Sequence, residues 1–192
     1  MESETTETII RATGRSLCEY GYADLTMQRI AEASSVTTAA IHYHFDTKEE
    51  LLNAFLDDLV DRFERQVDCE AADPRERLEG FLDAVFDSAA DDEFPVALME
   101  LKAQAPFHET YRNRFCELDN AVQGVVEAAV DDGIEAGYFE PVDAAEVARF
   151  VSTVINGGHL RQVALGEDPE KTRRVIERYL DAQLGWRPEE RA

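Results

Sequence analysis

From residue 51 onward apolar side chains return every fourth position: Leu51, Phe55, Leu59 and Phe63 line one side of a helix, and Phe81, Val85 and Phe86 begin a second stripe. No segment alternates apolar and polar residues between two turn signals, as a half-buried strand would. The breaks between stripes carry recognisable chemistry. Gly21 stands where a first helix over residues 3 to 20 should stop, and Thr26 is placed to cap the next. Asp73-Pro74 and Asp168-Pro169 each set a capping carboxylate before a proline, which fits the first helical turn because its missing N–H has no partner there anyway. Pro95, Pro106 and Pro141 mark further boundaries. The pattern predicts an all-α chain of about nine helices: three short ones before residue 46, a long fourth from about Thr47 and five after Asp73.

The stretch from Thr26 to Phe45 has the geometry of a helix-turn-helix. In the second helix, "TMQRIAEA", Met27, Ile30 and Ala31 share a face, with Ala33 closing against the partner helix. "SSV" makes a three-residue turn, and Val36 plugs the angle. In the third helix, "TTAAIHYHF", Ile41 and Phe45 lie one turn apart and point inward. At about 100° per residue, Ala39, His42 and Tyr43 point away from Ile41, with Thr38 and Ala40 on the flanks. That outer face is small, polar and aromatic, and suits a major groove about 12 Å wide.

Residues 5 to 51 resemble the N-terminal domain of the TetR family of transcriptional regulators. The shared marks are "GY" before Thr26, "IAEA", Val36, "IHYHF", and "TKEEL" opening the fourth helix. The resemblance implies a three-helix DNA-binding domain over residues 1–49 and a helical effector-binding and dimerisation domain over 50–192. It assigns Lys48 to a phosphate, Tyr43 and His44 to backbone or base edges, and Gln28 to a contact from the second helix. Thr38, Ala39 and His42 fall at base-reading positions, with Thr26 and Thr37 completing the DNA-binding set. Ser35 replaces the family's turn glycine and is expected to adopt a left-handed conformation, and Thr38 replaces a common cation.

Charge complicates that picture. The chain holds 19 Lys and Arg against 41 Asp and Glu, a formal net charge of -22, and only Lys48, Lys102 and Lys171 are lysine. Scarce lysine and abundant carboxylates resemble proteins of salt-loving organisms, and at about 1 M salt the Debye length falls to about 3 Å. Counterion release contributes little there, so recognition must rest on base edges and shape. Residues 1–50 hold four cations and nine acids, a net of -5; the remainder carries -17.

The C-terminal part resembles the subgroup of choline-responsive betaine repressors, through Asn156-Gly157, Leu160-Arg161 and Gly166. The resemblance implies a homodimer on a palindromic operator, with Gly157, Gly158, Arg161, Ile176, Tyr179 and Leu180 at the subunit interface. It also implies a small-molecule effector among helices four to eight, for which Phe55, Phe86, Met99, Phe107, Tyr111, Phe115, Asn156 and His159 are candidates. No cofactor is expected. His42 and His44 diverge by about 200° on a helix and cannot chelate one metal ion. The sequence has no GxSxG and no P-loop, so no enzyme is expected. Cys18, Cys69 and Cys116 lack CxxC spacing and read as free thiols. The acidic start and the lack of a long apolar run predict a soluble cytoplasmic protein without a membrane span. The alternative is a helical sensor module that does not bind DNA.

Overall fold

A computed structural model describes residues 2–67, 73–86 and 93–187; Cys69 lies outside the described residues. Among the described residues the helices are α1 (Glu2–Asp24), α2 (Met27–Ser34), α3 (Thr38–His44), α4 (Lys48–Val67), α5 (Pro74–Phe86), α6 (Glu93–Gln104), α7 (Glu109–Glu135), α8 (Ala144–Leu165) and α9 (Pro169–Leu184). No strand occurs among the described residues. None of their helices is long and apolar enough to cross a membrane.

The caps follow the sequence. Asp168 accepts the backbone N–H of Glu170 at 3.0 Å at the head of α9, and Asp73 does the same for Arg75 at 2.9 Å before Pro74. α1 runs past its expected end: the chain bends at Gly21, whose φ of 71° and ψ of 168° suit a residue without Cβ, and then continues to Asp24. Pro95 sits inside the first turn of α6 rather than before it.

The helices group into two compact units. The first comprises residues 1–62 and 91–116, so the helix-turn-helix shares its unit with most of α4, all of α6 and the start of α7. Its interior contains Ile9, Leu17, Ile30, Ile41, Leu52, Leu56 and Leu101, all fully buried. Phe55 inserts into a notch on α1: a Cβ added at Gly14 would come within 2.8 Å of the Phe55 ring. Tyr111 is also fully buried, and burial pushes its phenol up, with Tyr22 and Glu49 adding to the shift.

The second unit comprises residues 63–90 and 117–192. Leu78, Phe81, Phe86, Val126, Val151, Ile176, Leu180 and Trp186 belong to one buried cluster there. Arg173 is 5% exposed and bridges two helices, at 2.6 Å from Asp83 of α5 and 2.9 Å from Glu177 of its own α9. A buried guanidinium keeps its charge, so these carboxylates offset the hydration it has lost. α8 and α9 approach closely at Gly158, where an added Cβ would lie 2.5 Å from Thr172.

Ser35 closes α2 at φ 58°, the one left-handed residue other than glycine among the described residues. Ser35→Gly is therefore expected to raise the unfolding free energy by roughly 1 kcal/mol, relief of the left-handed cost exceeding the added chain entropy. Asp83→Ala should lower it by about 2 to 4 kcal/mol because Arg173 remains buried with one partner fewer, whereas Arg173→Met should cost less. Denaturant unfolding at one fixed KCl concentration measures all three.

Candidate nucleic-acid interface

Two threonines set the helix-turn-helix. Thr26 Oγ1 accepts the N–H of Arg29 at 3.2 Å to start α2, and Thr37 Oγ1 accepts that of Ala40 at 3.2 Å to start α3. Between them the turn is pinned by Ser34, whose hydroxyl donates to the Ala31 carbonyl at 3.1 Å and accepts the N–H of Val36 at 3.3 Å. Ser34 is 8% exposed, while Ala33, expected to close the angle, is only partly buried. A serine amid polar neighbours gives no sequence signal for this, because its burial depends on where α3 packs.

α3 presents the face its spacing predicts. Ile41 is fully buried and Phe45 nearly so, while Ala39, His42 and Tyr43 are exposed, Tyr43 by 77%. Thr38 is part-buried on the flank. The other assigned residues are engaged within the chain. Gln28 donates to Glu32 Oε1 at 3.1 Å, and His44 Nδ1 lies 3.5 Å from Thr6 Oγ1 of α1. Lys48 Nζ donates to the Tyr22 carbonyl at 3.0 Å and lies 4.7 Å from the centre of that residue's ring.

Tyr22 anchors a brace that the sequence did not reveal. Its N–H donates to Glu100 Oε2 of α6 at 2.9 Å, and its hydroxyl lies 3.2 Å from His108 Nε2. The opposite nitrogen of His108 is 3.3 Å from Glu49 Oε1, at the start of α4. Only folding brings these groups together, since Tyr22 and His108 stand 86 residues apart.

The effector candidates are divided. In the first unit Phe55 and Tyr111 are core residues, Met99 and Phe115 are part-buried, and Phe107 is 81% exposed, so it walls no cavity. In the second, Phe86 belongs to the buried cluster, Asn156 is exposed and donates to the Ser152 carbonyl at 3.0 Å, and His159 is part-buried. The dimer candidates divide too. Ile176 and Leu180 are buried in their own unit, so they present nothing to a partner, and Gly158 is used up by the approach to Thr172. Arg161 bonds Glu167 of the same chain at 2.5 Å. Gly157 is exposed, and the part-buried Tyr179 stacks on Phe150 at 3.8 Å between ring centres. A groove of about 490 Å³ between α8 and α9, lined by Val154, Gly157, Arg161, Lys171, Arg174 and Arg178 among others, includes none of the eight effector candidates.

Comparison with known proteins agrees with this geometry. Residues 9–55 match the family described as bacterial regulatory proteins of the tetR family, and residues 74–185 match the BetI-type transcriptional repressor C-terminal domain. The transcriptional repressor KstR2 of Mycobacterium tuberculosis is 31% identical over 74% of this chain and 74% of its own. The BetI regulator of Stenotrophomonas maltophilia is 26% identical over 93% and 92%. A TetR transcription regulator from Haloarcula marismortui superposes with a TM-score of 0.89 at 42% identity, over 95% of this chain and 99% of that one. A regulator from Saccharomonospora viridis solved with choline shares the fold at 23% identity, with a TM-score of 0.84 over 95% and 98%. With its head, its C-terminal domain and a near-full-length structural relative all in agreement, the chain belongs to the TetR family and is a DNA-binding transcriptional repressor of the BetI-type branch.

Proposed function

We propose that this repressor acts as a homodimer that grips a palindromic operator through α3 and releases it when a small molecule binds. The division of labour is a reading head over residues 1–49 and a sensing and pairing part over 50–192. The observation that carries the DNA reading is the exposed face of α3, where Ala39, His42 and Tyr43 stand outward while Ile41 and Phe45 hold the helix to the core. Thr38 and His42 offer hydrogen-bonding groups to base edges, Ala39 allows close approach, and Tyr43 reaches backbone or base. Two heads related by a two-fold axis meet half-sites about 34 to 36 Å apart.

Charge supports pairing through α8 and α9. Residues 144–184 contain six acids and six cations, so the whole net charge of -22 lies elsewhere in the chain. Two copies at that charge approach with least repulsion through a neutral surface. The same helices expose Phe150, Leu160, Leu165 and Val175, which supply apolar area, while Arg174 and Arg178 are exposed beside them. The choline-bound relative supports a small-molecule effector here, and the acidic composition with the Haloarcula relative supports a cytoplasm of molar salt. An effector moves the operator equilibrium only by its difference in affinity between the two states, about 5.5 kcal/mol for a shift from 1:99 to 99:1.

Binding to the DNA upstream of its own gene, against a scrambled duplex, tests the first reading across about 0.2 to 3 M KCl. Selective binding should persist in molar salt, and Thr38→Ala or His42→Ala should each weaken it by about 10-fold or more. Equal affinity for both duplexes, at salt where the protein is folded, removes the repressor mechanism and leaves the sensor module. Sedimentation tests the second: Arg174→Glu with Arg178→Glu, which makes this face acidic, should turn the dimer into monomer, and an unchanged dimer would place the interface elsewhere.

A further inference from the structure

Tyr22 is gripped by three neighbouring elements. In an unbroken helix its N–H would donate to the carbonyl four residues back. The bend at Gly21 redirects it to Glu100 Oε2 of α6, at 2.9 Å. Its carbonyl lies in the last turn of α1, where the helix supplies no donor, and accepts Lys48 Nζ of α4 at 3.0 Å. Its hydroxyl stands 3.2 Å from His108 Nε2 in the turn before α7, and the His108 ring packs 4.9 Å from that of the fully buried Tyr111. The helix-turn-helix is tied to the same end of α1: Arg29 of α2 donates to the Asp24 carbonyl at 2.5 Å, and Arg15 of α1 to the Ala33 carbonyl at 3.1 Å. All of these residues belong to the first compact unit.

We propose that Tyr22 is a positioning residue for operator binding: it fixes the helix-turn-helix against α4 and α6, and Lys48 raises affinity by holding Tyr22 rather than by meeting a DNA phosphate. This rests on the reading of α3 as the DNA-contacting helix.

Three observations favour that role for Lys48. It is part-buried, with its ammonium on a carbonyl and 4.7 Å from the centre of the Tyr22 ring. Asp46, Glu49 and Glu50, all exposed, flank it at the head of α4 and repel a phosphate brought there. In molar salt a phosphate contact gains little from counterion release, whereas a head already held in its binding orientation avoids an ordering cost at any salt concentration.

The effect on affinity follows from populations. A head that swings free binds only in the fraction of molecules where it is correctly placed, so the apparent affinity falls by that fraction. Loss of a charge-assisted tie should lower it about 10-fold, and loss of the hydroxyl tie about fivefold.

Titration of the upstream duplex and of a scrambled one in about 2 M KCl, where direct attraction between Lys48 and Glu100 is screened, tests this. Glu100→Leu and Lys48→Met should each weaken selective binding about 10-fold, and the two together should cost little more, because both act through one residue. Glu100→Gln should stay within about twofold of wild type, since its amide oxygen still accepts the Tyr22 N–H. Tyr22→Phe, which removes only the hydroxyl, should weaken binding about fivefold. Circular dichroism and denaturant unfolding in the same buffer establish that each variant is folded. Salt dependence separates the two roles of Lys48. Lys48→Met should keep the wild-type slope of log affinity against log salt; a slope shallower by about 0.9 per lysine removed, or additive losses in the double variant, overturns the inference. Selective binding that is unchanged in both Glu100→Leu and Tyr22→Phe also overturns it, while the repressor reading stands. Equal affinity of the wild type for both duplexes removes the α3 reading and the inference with it.

Discussion

A protein of net charge -22 that must meet a polyanion is constrained above all by where its charge is absent. Like-signed surfaces repel over a Debye length, about 10 Å in dilute salt and about 3 Å in molar salt. Screening shortens the range of that repulsion, yet surfaces in contact must still be locally neutral or complementary. The chain meets this condition twice. α3 carries no carboxylate and no permanent cation, and the α8–α9 segment balances six acids with six cations. The excess of acids lies on the rest of the chain.

The cations of the head are used for architecture. Arg15 ties α1 to the end of α2, Arg29 ties α2 to the end of α1, and Lys48 ties α4 to the bend after Gly21. In dilute salt a DNA-binding head commonly offers such side chains to phosphates, where counterion release rewards them. In concentrated salt that reward is small, whereas a short hydrogen bond from guanidinium or ammonium to a backbone carbonyl keeps much of its strength because its geometry is fixed by the fold. The brace of Tyr22, His108, Glu49 and Glu100 has the same character. It joins α1, α4, α6 and the turn before α7 inside one compact unit, so a shift of α6 or of that turn acts on the same backbone that Lys48 holds.

Local chemistry determined much of the fold from the sequence alone. Helix periodicity, the caps at Thr26, Asp73 and Asp168, and the left-handed Ser35 depend on residues within a few positions of one another, and each appears in the structure as its neighbours require. The orientation of α3 was legible for the same reason, since 100° per residue and one apolar anchor fix which side chains face outward. Long-range partners were not. Ile176 and Leu180 show the periodicity of an interface and of a core equally well, and only the position of α5 and α8 beside α9 places them inside their own chain. Phe55 reads as a pocket aromatic until Gly14 supplies its notch, and the contact of Arg161 with Glu167 is set only when Gly166 turns the chain. A helical pattern states which residues share a face; what covers that face is decided by tertiary packing, because apolar burial is non-directional and satisfied by any complementary neighbour.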